Sequence, residues 1–347
     1  MRADNGALMT GARPARHSAT VLGCAGPDLS PDEAGFFRDA DPWGFILFAR
    51  NVETPDQLRR LTGDLRAAVG RDAPILVDQE GGRVQRLRAP HWREWLPPLD
   101  QVARGGSARS LWLRYRLIAA ELRAVGIDCD CAPSADIAGP GTHAFLRNRC
   151  FGETAGTVAA AARAAAEGLL AGGVLPVVKH MPGHGRASID SHLAPPRVSA
   201  ALETLRATDF AAFRALADLP MAMTGHIVFE AIDPDRPATA SPGVIALIRG
   251  EIGFRGLLLS DDLSMEALSG GIGARAAAAV GAGCDIALHC NGKVAEMTAV
   301  VAGAGALDGP ALARAEAALA CRRPPAAIDI AGLDAEFEAL MAGVADG

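Results

Sequence analysis

The chain has 347 residues, half of them hydrophobic and 21% charged, so it can bury one large core and is too apolar for a disordered or coiled-coil protein. A formal net charge of -6 with no block of like charge leaves no electrostatic footprint for nucleic acid or an anionic membrane. Seven cysteines, an odd number with no C-x-x-C pair, read as reduced thiols serving as small core residues. Residues 1–20 hold Arg2, Asp4, Arg13, Arg16 and His17 but no apolar run of signal-peptide length, and no stretch of about 18 apolar residues occurs anywhere. A soluble cytoplasmic protein is expected.

In chain order, eight short apolar runs predict strands: Thr20–Ala25, Gly44–Phe48, Pro74–Asp78, Asp128–Pro133, Pro176–His180, Met221–Thr224, Leu257–Ser260 and Asp285–His289. Most are continuously apolar, as parallel strands covered on both faces should be. Helix starts lie between them. Ser30-Pro31 and Ser241-Pro242 place a capping hydroxyl before a first-turn proline. Thr54 is followed three residues later by Gln57, a capping-box pattern. Thr154 opens an Ala-rich helix that Gly172-Gly173 should end, and further helices fit near 108–124, 199–217, 274–282 and 293–303. Eight strand–helix units in one chain predict an α/β fold, a TIM (β/α)8 barrel in a single domain over 1–347. Its core would run from about 18 to 305, with a helical extension over about 306–347 that includes one helix near 332–342. A doubly wound sheet is the competing topology; the first strand lacks the G-x-G-x-x-G of its nucleotide-binding version.

In a barrel, the residues just past the strand ends converge on one face. Strand three ends in Asp78 through Arg86, strand five in Lys179-His180-Met181-Pro182-Gly183-His184-Gly185 continuing to Asp190-Ser191-His192, and strand seven in Ser260-Asp261-Asp262. Taken singly, Asp78 reads equally as a loop cap, Gly81-Gly82 as a tight turn and His180 as a satisfied core histidine. Lys179 is harder to explain by packing, because a lysine ending an apolar strand must be paired or meet a ligand. Asp262 reads as a cap or ion-pair partner, and His226, Cys129 and Cys131 as structural. His180, His184, Asp190 and His192 could together ligate zinc, but Pro182, Gly183 and Gly185 deny them a helical H-x-x-x-H face. No metal site is expected. A serine or cysteine nucleophile lacks a G-x-S-x-G elbow.

The loop Lys179 to Gly185 followed by Asp190-Ser191-His192 resembles the K-H-(F/I)-P-G-H-G…D-S-H loop of family-3 glycoside hydrolases, and is most similar to that of their single-domain β-N-acetylhexosaminidases. Gly44 to Asn51, Asp78 to Arg86, Asn148-Arg149-Cys150-Phe151, Ser260 to Met265 and Ala282 to Asp285 agree, in family order, from roughly residue 20 to 292. Met181, where an aromatic or Ile is usual, and Cys150, where Ser is common, are small departures. The resemblance implies that Asp261 is a nucleophile, His192 the general acid/base and Asp190 its orienting partner. It also implies that Asp78, Arg86, Arg149, Lys179 and His180 hold a terminal N-acetylglucosamine.

A retaining glycosidase needs an attacking carboxylate and a second group that protonates the leaving oxygen. A histidine with an ordinary pKa of about 6.5 suits the second task near neutral pH. Asp190, two residues earlier, can hold the other imidazole nitrogen. The glycines at 183–185 are expected to give this loop freedom to move. Two-domain β-glucosidase-like members carry a large further domain that supplies the acid/base, for which the stretch after residue 305 leaves no room. The resemblance therefore implies hydrolysis of 1,6-anhydro-muropeptides in cytosolic peptidoglycan recycling, by a monomer that takes a small carbohydrate substrate, needs no cofactor, and binds neither nucleic acid nor membrane. A metal-dependent hydrolase, a β-glucosidase-like enzyme and a catalytically silent sugar-binding barrel are the alternatives.

Overall fold

The computed structural model describes residues 17–187, 196–325 and 327–343. Eight parallel strands close a barrel: β1 (Ser18–Gly23), β2 (Pro42–Leu47), β3 (Ile75–Val77), β4 (Cys129–Asp130), β5 (Leu175–Met181), β6 (Met221–Thr224), β7 (Leu257–Asp262) and β8 (Ile286–His289). Each pairs with its sequence neighbours, and β8 returns to β1 in the register Thr20 to Ala287 and Leu22 to His289. The closed order settles the topology in favour of the barrel. The residues of β1 to β6 and β8 are all buried, which is why their sequences read as unbroken apolar runs.

The helices start where the sequence signals them. Ser30, Thr54, Thr154 and Ser241 each accept a hydrogen bond from the backbone N–H three residues on. Ser30 and Glu33 form a full capping box. Gln57 does not complete one; its side-chain oxygen accepts from Glu53 N at 2.9 Å, one residue before the cap. The helix expected over 199–217 is two short ones, Leu202–Ala207 and Asp209–Arg214. They break at Thr208, whose hydroxyl turns back to the Thr204 carbonyl at 2.7 Å. The C-terminal extension holds two helices, Gly309–Ala320 and Ile330–Ala342, where only the second was expected.

The N-terminal end of the barrel is fixed by aspartates placed just before strands. Asp128 precedes β4 and accepts from Ile75 N at 2.7 Å and Arg66 Nη2 at 2.9 Å, with Arg322 from the extension closing on its other side. Asp285 precedes β8 and accepts from Leu258 N at 2.9 Å, Arg249 at 2.7 Å and Arg314 at 2.6 Å. The extension is thus pinned to the barrel floor, leaving the opposite mouth for chemistry. Among the described residues, no helix is long and apolar enough to cross a membrane.

Candidate active site

At the C-terminal mouth a cavity of about 290 Å³ is lined by Asp78, Arg86, Arg149, Lys179, His180 and Asp261, together with apolar residues that include Phe48, Met223 and Leu288. That volume is at the lower bound for ligand pockets and suits a single sugar ring rather than a long chain. Six of the eight residues singled out in the sequence therefore converge. The other two, Asp190 and His192, lie outside the described residues.

The polar wall is a chain of alternating charge. Arg86 Nη2 donates to Asp78 at 2.8 Å, and Lys179 Nζ reaches Asp78 at 2.8 Å and Glu80 at 2.6 Å. Arg149 donates through Nε and Nη2 to the two Glu80 oxygens at 2.9 and 2.8 Å. Burial alone would push both carboxyls up, but the cations outweigh it. Lys179 and Arg86 hold Asp78 far below the usual carboxylate range, and Arg149 and Lys179 bring Glu80 down to about 2. Burial would likewise lower Lys179, yet Asp78 and Glu80 hold it above the ordinary lysine value. The lysine that ends an apolar strand is accounted for: it is 2% exposed and carries two carboxylate partners.

The two aspartates ending β7 have different surroundings. Asp262 accepts from Ser264 N at 3.0 Å and Cys290 N at 3.2 Å on one oxygen, and from Ser264 Oγ at 2.6 Å on the other. Its carbonyl accepts from His226 Nε2 at 2.9 Å. Asp262 also lines the cavity, but both of its oxygens already accept hydrogen bonds that clamp its loop. Asp261 takes one backbone N–H, that of Asp262 at 2.8 Å, and otherwise faces the cavity. Burial raises its carboxyl, but His180, His226, the Asp262 N–H and Lys179 together bring it below the ordinary value. It is ionised throughout the neutral range.

His180 donates from Nδ1 to Asp136 at 2.7 Å, and its Nε2 lies 3.4 Å from Arg149 Nη2, which can only donate. Asp136 also accepts from His184 N at 2.6 Å. Asp136, His180 and His184 bring potential metal-ligating atoms close together. The Asp136 oxygens already accept from the His180 ring and the His184 backbone N–H, a hydrogen-bonded brace, while His184 Nδ1 is buried without a partner among the described residues. Burial and the neighbouring His180 push the His184 imidazole down to about 3, so it stays uncharged.

Gly183 and Gly185 are sites of close packing. A Cβ at Gly185 would lie 1.9 Å from the Ile137 carbonyl oxygen, and one at Gly183 2.9 Å from Asp209 Cβ. Around them the chain is fastened: Ala187 O accepts from His143 N at 3.0 Å, and Arg186 pairs with Asp209 at 2.7 Å. These glycines permit close packing of the loop on its neighbours.

Two site residues escaped the sequence reading. Glu80 stands inside the Asp78 to Arg86 motif, but no role was assigned to it. Asp136 follows strand four in Ser134-Ala135-Asp136, and the strand-end rule applied to β3, β5 and β7 would have found it. Deeper lies Asp130, fully buried, with one oxygen accepting from Gln79 N at 2.9 Å and the other without a partner among the described residues. Burial, aided by Asp78 and Glu80, pushes its carboxyl up to about 8. The folded protein therefore keeps a proton that the unfolded chain releases near pH 4, so this group lowers stability as pH rises from about 4 to about 8. Asp130→Asn removes that dependence. Its melting temperature relative to wild type should rise by several degrees between pH 5 and pH 8 in paired thermal melts. A difference that stays constant with pH would show that Asp130 is ionised throughout.

Known proteins resemble this chain in sequence and fold. The model of the Glycosyl hydrolase family 3 N terminal domain matches residues 37–319. A β-hexosaminidase of Methylococcus capsulatus is 40% identical over 274 residues, covering 77% of this chain and 80% of its own. NagZ from Neisseria gonorrhoeae, solved in complex with N-trifluoroacetyl-D-glucosamine, is 31% identical with a TM-score of 0.81, over 95% of this chain and 98% of that one. A family 3 β-N-acetylglucosaminidase from Paenibacillus sp. is 30% identical with a TM-score of 0.84, over 94% of this chain; the match spans 66% of that longer chain. With eight strands in barrel order and the family match running from the first helix into the C-terminal extension, the chain belongs to glycosyl hydrolase family 3.

Proposed function

We propose that the protein is a retaining exo-β-N-acetylhexosaminidase. It removes terminal non-reducing β-linked N-acetylglucosamine through a covalent glycosyl intermediate on Asp261, with 1,6-anhydro-muropeptides of peptidoglycan recycling as the natural substrate. The observation that carries this reading is the contrast at the end of β7: both aspartates line the cavity, but Asp262 has its two oxygens held by Ser264 and Cys290 while Asp261 takes one backbone N–H. The similarity to a β-hexosaminidase and to an N-acylglucosamine complex of NagZ supports the substrate class.

In this reading the sugar ring sits in the cavity with its hydroxyls on the charged wall. Asp78 accepts; Arg86, Arg149 and Lys179 donate charge-assisted hydrogen bonds; and His180, braced by Asp136, completes the grip. The Asp261 carboxylate attacks the anomeric carbon, His192 protonates the departing oxygen, and the same imidazole then takes a proton from the water that releases the sugar. Asp190 orients His192. The chain acts as one catalytic domain, a cytoplasmic monomer without metal or organic cofactor.

The test is hydrolysis of a chromogenic N-acetyl-β-glucosaminide beside the glucoside and galactosaminide, with and without chelator. The N-acetyl-glucosaminide should be cleaved and the glucoside spared, at rates that chelator leaves unchanged. Preference for the glucoside points to the β-glucosidase-like alternative, and loss in chelator restored by zinc to the metal-dependent one.

A further inference from the structure

We propose that Glu80 is a positioning residue, which fixes Lys179 and Arg149 on the pocket wall and through them sets the grip on the sugar ring in the transition state. The proposal rests on the reading of this pocket as the seat of a terminal N-acetylhexosamine.

Glu80 is 1% exposed and does not line the cavity. It stands behind the wall and receives three N–H donors on one carboxylate: Lys179 Nζ at 2.6 Å, Arg149 Nη2 at 2.8 Å and Arg149 Nε at 2.9 Å. Both cations reach the cavity from this anchor. The anchor is itself held. The backbone carbonyl of Glu80 accepts from Arg114 Nη2 at 2.5 Å, and Arg114 is completely buried and also donates to Gln101 at 2.6 Å and the Leu96 carbonyl at 2.7 Å. The chain of contacts runs from the helix Ala108–Ala124 through Glu80 to the two pocket cations.

The two cations do not depend on Glu80 equally. Lys179 also pairs with Asp78, whereas the other side-chain hydrogen bond of Arg149 among the described residues is the 3.4 Å contact with the His180 ring. Removing the Glu80 charge therefore loosens Arg149 most. Glutamine is the sharp substitution, because it has the same size and reach. Its one oxygen can accept from only one end of the Arg149 fork, while its NH2 faces the other Arg149 N–H as a second donor. The fork that fixes the guanidinium plane is lost with no change in packing. A donor free to swing aligns less well with the hydroxyl it must stabilise, and that misplacement shows in the rate.

Glu80→Gln should lower kcat/KM about tenfold or more, and by the same factor for an aryl N-acetyl-β-glucosaminide and for a natural disaccharide, since the ring is common to both. A fault in leaving-group protonation would instead spare the aryl substrate. Inhibition by free N-acetylglucosamine should weaken in parallel. In an Arg149→Ala background the same substitution should add less than about threefold, because its main target is gone and Lys179 keeps Asp78. If Glu80→Gln does not fold, Glu80→Asp keeps the charge one carbon short of its partners and should show an intermediate loss. Values within twofold of wild type for the folded variant, or full additivity with Arg149→Ala, overturn the proposal. A wild-type protein inactive on every N-acetyl-β-hexosaminide overturns the reading of the pocket and this proposal with it; active wild type beside an unimpaired Glu80→Gln overturns the proposal alone.

Discussion

Asp261→Ala should abolish turnover of every β-glycoside, by about 10^4-fold or more, whatever the leaving group. That is the scale seen when one member of a catalytic set acting as a unit is removed. The carboxylate ends β7, takes one backbone N–H and faces the cavity, so its position is fixed by the barrel rather than by a loop. Covalent attack tolerates little misplacement, and a strand end provides that precision. His192→Ala should behave differently. A nitrophenyl leaving group departs with little protonation, so this variant should retain far more activity on the aryl substrate than on a natural sugar aglycone. Asp190→Ala should follow the same pattern more mildly, because the imidazole remains but is poorly oriented. Because Asp261 is held below the ordinary carboxylate value, the acid limb that it contributes to kcat/KM should fall below about pH 4. Labelling with a 5-fluoro glycosyl donor and peptide mapping should place the sugar on Asp261. A label on Asp262 or Asp78, or an inverted product anomer, would overturn the assignment.

How much of this was legible in the sequence depended on how far apart the partners lie. All eight strands were readable, because parallel strands covered on both faces advertise themselves locally. The ends of β3, β5 and β7 were readable too, since charge following an apolar run is a local signal. The roles of Glu80 and Asp136 were not, although both follow apolar strands, because each acts through a partner remote in sequence: Arg149, 69 residues away, and His180, 44 residues away. The packing role of Gly183 and Gly185 was hidden for the same reason. A glycine in a loop reads locally as freedom, whereas what demands it here is the Ile137 backbone packed against Gly185 and Asp209 against Gly183. The helix Gly309–Ala320 is alanine-rich, and its Arg314 reaches Asp285, 29 residues away.

Asp128→Ala should be among the most destabilising single substitutions at the end of the barrel remote from the cavity. The side chain is fully buried, and it closes one side of three elements at once: the β3 backbone through Ile75 N, the helix Pro55–Val69 through Arg66, and the C-terminal extension through Arg322. Removing it leaves a buried N–H without an acceptor and two guanidiniums, 19% and 17% exposed, without their main counter-charge. Breaking a buried ion pair from one side costs about 3–5 kcal/mol. Both arginines keep Asp72, at 2.8 and 2.7 Å, which argues for the lower half of that range. In a chain this long the expected fall in Tm is roughly 5–10 °C. Asp72→Ala is the control. Its carboxylate is 70% exposed, so losing it should cost less than about 1 kcal/mol although it touches the same two arginines. Folded Asp128→Ala protein should keep the wild-type kcat/KM, because the strand ends it ties are opposite those that carry Asp78, Lys179 and Asp261. Equal melting temperatures for Asp128→Ala and Asp72→Ala would mean that the floor of the barrel is held by packing and that the buried charge adds nothing.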